Sequence, residues 1–101
     1  MSILERLISD LDEKGALDEI RKQIIDGKKP ENILEETQRG LQIVGKKFES
    51  KQYALIELEM ADELFRKCVN LIETFSREKY FSQPGKLIRK KLLRSDAIDL
   101  G

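Results

Sequence analysis

"RGLQIVGKKFE", residues 39–49, has the apolar spacing of a helix, yet it carries glycine at Gly40 and Gly45. Leu41, Val44 and Phe48 fall on one stripe with the three-to-four-residue period of an amphipathic helix. Each glycine inside such a helix costs roughly 1 kcal/mol against alanine. A small residue on a helix face lets a second backbone come close, so both glycines are expected at tight crossings within a helical bundle. Neither stands between a strand and a helix, so they do not form a phosphate-cradling loop.

The same periodicity extends in both directions. Upstream, "KKPEN" starts this third helix: Pro30 fits a first helical turn, and Glu31 favours the positive end of the helix dipole. Ile33, Leu34 and Thr37 continue its apolar face. Nearer the N-terminus, Ile3, Leu4, Leu7, Ile8 and Leu11 make the stripe of a first helix. Ser2 and Glu5 have the spacing of a capping box, and Gly15 is expected to close that helix. Leu17, Ile20 and Ile24 mark a short second helix, with Gly27 as its stop. Beyond a break at "ESKQ" comes the longest helix, about residues 53–80. Its stripe reads Leu55, Leu58, Ala61, Phe65, Cys68, Val69, Ile72 and Phe75. No segment alternates with period two. The expected fold is all-α: an antiparallel four-helix bundle over residues 1–81, with Leu41, Val44, Phe48, Leu58, Phe65, Val69 and Ile72 in its core. Residues 82–101 are read as a turn ("SQPG", 82–85) followed by a short basic helical tail over 86–95.

Composition narrows the function. The chain has 101 residues, 40% hydrophobic and 38% charged, with 19 basic and 19 acidic side chains. A formal net charge of +0 gives no general attraction to nucleic acid or to a membrane surface, and neither is expected as a partner. No apolar run approaches the ~20 residues that cross a bilayer. The opening "MSILERLISDLDE" has acids where a secretory signal has its apolar core, so a cytoplasmic protein is expected. One cysteine excludes an intramolecular disulfide, and the absence of histidine removes the commonest general base and zinc ligand. Cys68 lies on the apolar stripe and reads as a small buried hydrophobe. Glu57, Glu59, Asp62 and Glu63 read as a solvated acidic face, because a di-metal carboxylate site needs Glu-x-x-His pairs. No catalytic residue and no metal ligand emerges, and the chain is not expected to catalyse a reaction alone.

The tail differs in charge. "KLIRKKLLR", residues 86–94, has five basic residues and no acid. Such a segment can lie on a membrane or a nucleic-acid backbone. It can equally pack Leu87, Ile88 and Leu92 against the acidic bundle of this same chain, and the internal charge complementarity makes that reading preferred.

Residues 40–64, "GLQIVGKKFESKQYALIELEMADEL", resemble the helical cap module that precedes the cobalamin-binding domain in corrinoid proteins and cobalamin-dependent methionine synthase. The pattern of that module is Gly-Met-x-x-Val-Gly-x-x-Phe, a glycine-containing loop, Phe-Leu-Pro-Glu-Leu, and a run ending in Met-Ala-Ala-Glu-x-Met. Gly40, Val44, Gly45 and Phe48 match it, as do Leu55, Glu57, Leu58, Met60, Ala61 and Glu63. The resemblance covers about residues 17–75. It implies a bundle lying over the upper face of a corrinoid, shielding the cobalt-bound methyl group and moving aside for a methyltransferase partner.

By the same resemblance the cofactor-facing residues are Tyr53, Ala54, Leu55 and Leu58. Leu41 stands for the methionine of the pattern, and around the start of helix four Ala54 replaces the phenylalanine, Ile56 the proline and Lys51 the loop glycine. The following corrinoid domain carries a D-x-H-x-x-G motif whose histidine binds cobalt. Here "DAIDLG" (96–101) keeps the Asp and Gly but has Ile98 at the histidine position, and "GKLI" (85–88) is similar to that domain's first strand. Residues 82–101 then read as a truncated start of that domain, and no cobalamin is expected to bind to this chain alone. The implied function is a cap-like accessory module of a corrinoid-dependent methyl-transfer system, with a corrinoid-binding domain or methyltransferase subunit as partner. The alternative is a stand-alone interaction or regulatory module that reuses the fold without corrinoid. With no corrinoid domain over the start of helix four, Tyr53, Leu55 and Leu58 leave apolar surface in water, and a homodimer is expected to bury it.

Overall fold

A computed structural model describes the backbone of residues 1–81 and the side chains of residues 1–77. Four helices follow in order: α1 (Ile3–Ser9), α2 (Glu13–Ile25), α3 (Pro30–Glu49) and α4 (Leu55–Phe81), with no strand among the described residues. α3 packs on α1 and α4, while α2 packs on α1 and α4. The expected turn at 82–85, the basic helix at 86–95 and the likeness of residues 85–101 to a corrinoid domain lie outside the described residues.

Local chemistry explains the helix ends. Ser2 caps α1 through a complete box: its hydroxyl accepts from the Glu5 N–H at 3.1 Å, and the Glu5 carboxylate accepts from the Ser2 N–H at 3.2 Å. α1 ends earlier than its glycine suggests. Leu11 takes a left-handed φ of 59°, and Asp12 caps α2 by accepting from the Gly15 N–H at 2.9 Å. Gly15 therefore lies in the first turn of α2. A Cβ there would fall 2.6 Å from the capping Asp12 carboxylate and 2.9 Å from Leu7, so crowding rather than helix termination explains the residue. Gly27 ends α2 as expected, at a φ of +90°, and Pro30 opens α3.

The core is a cluster of Leu4, Ile8, Ala16, Ile20, Ile33, Leu64, Cys68 and Ile72, with Val44, Thr37 and Ala61 also buried. Val44 and Ile72 are core residues as expected. Leu41, Leu58, Phe65 and Val69 are only half-buried, and Phe48 is exposed. α4 packs against both α2 and α3, so its buried line runs through Ala61, Leu64, Cys68 and Ile72. Phe65 and Val69 are left on the shoulder of that line. Gly40 is the expected tight crossing: a Cβ there would meet the Ile8 Cβ at 2.8 Å and the Glu5 carbonyl at 3.2 Å. Gly45 is not, because a Cβ there would meet nothing within 4 Å.

The α1–α3 crossing carries a polar pair beside its apolar contact. Arg39 Nε donates to the Glu5 carboxylate at 2.6 Å. Chiefly through that bond, and despite burial, the Glu5 pKa is held below the ordinary 4.5. A depressed carboxylate stabilises the fold at pH above the unfolded value and loses that contribution as pH falls through the folded one. The urea midpoint is therefore expected to decline as the solution is acidified below about 4.5, and the decline should be shallower in Glu5→Gln.

Candidate functional site

The segment joining α3 to α4 is short and firmly held. Tyr53 Oη donates to the Ser9 carbonyl at 2.7 Å, and Lys47 Nζ donates to the same oxygen at 3.3 Å. The Lys47 ammonium also sits 5.0 Å from the centre of the Tyr53 ring. This arrangement satisfies a carbonyl at the end of α1 and ties the loop to it. Ala54 precedes α4 and has no side-chain oxygen to cap it. Its own N–H donates to the Glu57 carboxylate at 2.8 Å, which is one half of a capping box.

Lys51, which stands in place of the motif's loop glycine, adopts a φ of 70°. A left-handed conformation costs a non-glycine residue roughly 1 kcal/mol or more. The residue best suited to such a backbone is glycine, and the chain holds it with lysine. Lys51→Gly is expected to stabilise the fold by about 1 kcal/mol, read from the thermal or urea midpoint.

Two depressions open along the seam between the end of α3 and the start of α4. The larger, about 750 Å³, has the half-buried Leu41, Gly45 and Leu58 as its floor, and exposed Gln42, Glu59, Asp62, Glu63 and Arg66 around it. The second, about 550 Å³, is lined by Phe48, Lys51, Tyr53, Ala54 and Glu57 among others. Gly45 and Phe48 are one turn apart on α3, as are Ala54 and Leu58 at the start of α4. Of the four cofactor-facing residues implied by the resemblance, Tyr53 and Ala54 share one depression and Leu58 lies in the other. Leu55 lines neither and is 59% exposed.

Sequence reasoning missed Phe48 as a surface residue. Its place on the stripe of Val44 signalled burial, but Phe48 is 38% exposed and shares a depression with Ala54. An aromatic side chain therefore stands in the depression where Ala54 supplies none. Cys68, by contrast, is buried as expected, and burial pushes its thiol pKa up to about 11, so it is an inert packing group. The acids Glu59, Asp62 and Glu63 are exposed, and no helix among the described residues is long and apolar enough to cross a membrane.

An open apolar seam flanked by an exposed aromatic suits a flat, largely apolar ligand face. The chain contains no histidine and so offers no imidazole ligand to a metal. Comparison with protein families matches residues 3–73 to the family described as B12 binding domain. The chain belongs to that family, in the helical cap form found in corrinoid proteins. No curated protein and no solved structure matches the chain.

Proposed function

We propose that this chain is the cap of a corrinoid-dependent methyl-transfer system, laying its α3–α4 seam over the upper face of a corrinoid held by a separate cytoplasmic domain. The observation that carries the reading is Gly45. It forgoes helix stability, meets no atom of its own bundle within 4 Å, and forms the floor of an apolar groove inside the family match. Leu41 and Leu58 supply apolar contact on either side of it. Phe48, 38% exposed, takes the covering position that Ala54 leaves empty. When bound, a corrinoid supplies a cobalt atom that carries the methyl group. The residues of this chain exclude water from that face, and release of the seam admits a methyltransferase subunit. Catalysis belongs to that partner.

Shielding is measurable. Methylcobalamin held on a corrinoid-binding domain should lose its methyl group to light more slowly when the chain is added. Phe48→Ala should restore most of the unprotected rate while leaving the helix content unchanged, because Phe48 is exposed. An unchanged rate with the wild-type chain would remove the cap reading and leave a module that uses the same fold for protein contact alone.

A further inference from the structure

A second seam runs along the other side of α4, where α2 lies against it. Two depressions open there and meet at Lys67. One, about 240 Å³, is lined by Leu11, Met60 and Leu64 together with the acids Glu13 and Glu63. The other, about 530 Å³, places Arg21 beside Leu17 and Leu71. Between them Lys67 and Glu13 close an ion pair at 2.9 Å across the seam. Arg21 holds Asp18 at 3.0 Å through one nitrogen. Exposed apolar side chains flank the seam at both ends: Ile56 and Met60 at one, and Ile25, 82% exposed, at the other. The face is therefore acidic and apolar at one end, basic and apolar at the other.

That pattern is complementary to itself. α2 and α4 run in the same direction here, because Glu13 lies beside Met60 and Lys67, and Arg21 beside Asn70 and Thr74. At about 1.5 Å per residue, Glu63 lies about 6 Å before Lys67, Met60 about 10 Å and Ile56 about 16 Å. On the other side of Lys67, Arg21 lies about 8 Å away and Ile25 about 14 Å. A two-fold axis crossing α4 at Lys67 thus sets Arg21 of each copy against the acidic end of the other, at Glu63. The same rotation sets Ile25 against Ile56 and Met60. One register satisfies both the charges and the apolar groups. Lys67 meets its counterpart on the axis, but Glu13 neutralises it within each copy. We infer that the α2–α4 face is the contact between two copies of this chain, packed antiparallel about Lys67. The contact is isologous and closes at two copies. The net charge of +0 removes long-range repulsion between them. Because the face lies across α4 from the groove at Gly45, the inference holds whether or not that groove meets a corrinoid.

Sedimentation equilibrium of the full chain tests it by charge exchange. The wild type is expected at twice its 11.7 kDa at micromolar concentration. Arg21→Glu and Glu63→Arg are each expected to weaken self-association by about tenfold or more. Both changes in one chain should recover the wild-type dimer to within about threefold, because the complementarity is restored with its sign reversed. Ile25→Glu should weaken the dimer as strongly as either single reversal, while Leu55→Glu, on the opposite side of α4, should leave it within about threefold. Circular dichroism establishes that each variant keeps its helices. A wild-type monomer overturns the inference, as do single reversals that dimerise like the wild type, or a double reversal that does not recover. Loss of the dimer in Leu55→Glu but not in Ile25→Glu overturns it too, by moving the contact to Tyr53, Leu55 and Leu58. None of these readouts involves corrinoid, so the cap reading is judged separately.

Discussion

Ile20→Ala is expected to lower the unfolding free energy by about 2–5 kcal/mol, a large share of the 5–15 kcal/mol typical of a domain this size. Ile20 is fully buried where α2 meets the main core cluster, and the space left by its side chain has little room to collapse. Phe65→Ala removes a larger side chain but should cost less, about 1–2 kcal/mol, because Phe65 is only half-buried on the shoulder of α4. Urea denaturation of the two variants side by side reads the difference. Equal losses would place Phe65 in the core and contradict the packing described for α4.

Gly40→Ala is the second large effect, with an expected loss of about 1–3 kcal/mol. The added Cβ would lie 2.8 Å from the Ile8 Cβ and 3.2 Å from the Glu5 carbonyl. Neither is the free end of a flexible side chain, so α1 must move away from α3, straining the adjacent Glu5–Arg39 contact. Gly45→Ala should have the opposite sign. Its Cβ meets nothing, and the helix gains roughly 0.5–1 kcal/mol of propensity. Two glycines five positions apart in one helix thus separate by their response to the same substitution. Gly40 serves the bundle, and Gly45 serves a surface that the bundle leaves open.

Much of this was legible in the chain. The three-to-four-residue spacing located the helices, Ser2 and Glu5 marked the α1 cap, and Gly27 and Pro30 bracketed the α2–α3 turn. The motif from Gly40 to Glu63 pointed to the family. Other features depended on tertiary geometry. A stripe gives the face of a helix only to within about one position, and α4 turned its Leu64 line inward because it serves two neighbours. Phe48 has the spacing of a core residue but is exposed beside Ala54, which periodicity does not reveal. Gly15 resembled a helix stop, yet the left-handed turn fell at Leu11 and the cap at Asp12, leaving Gly15 in a crowded first turn. Lys51 is the converse case, a left-handed backbone at a residue that is not glycine.

The most direct test of the cap assignment is calorimetric titration of the chain into a corrinoid-binding domain loaded with methylcobalamin, with the empty domain and free methylcobalamin as controls. Saturable binding is expected for the loaded domain and not for free methylcobalamin. Gly45→Leu, which fills the groove without meeting another atom near its Cβ, should weaken that binding by at least about tenfold, or 1.4 kcal/mol. Absence of binding to the loaded domain, or a Gly45→Leu variant that binds as tightly as the wild type, would contradict the assignment.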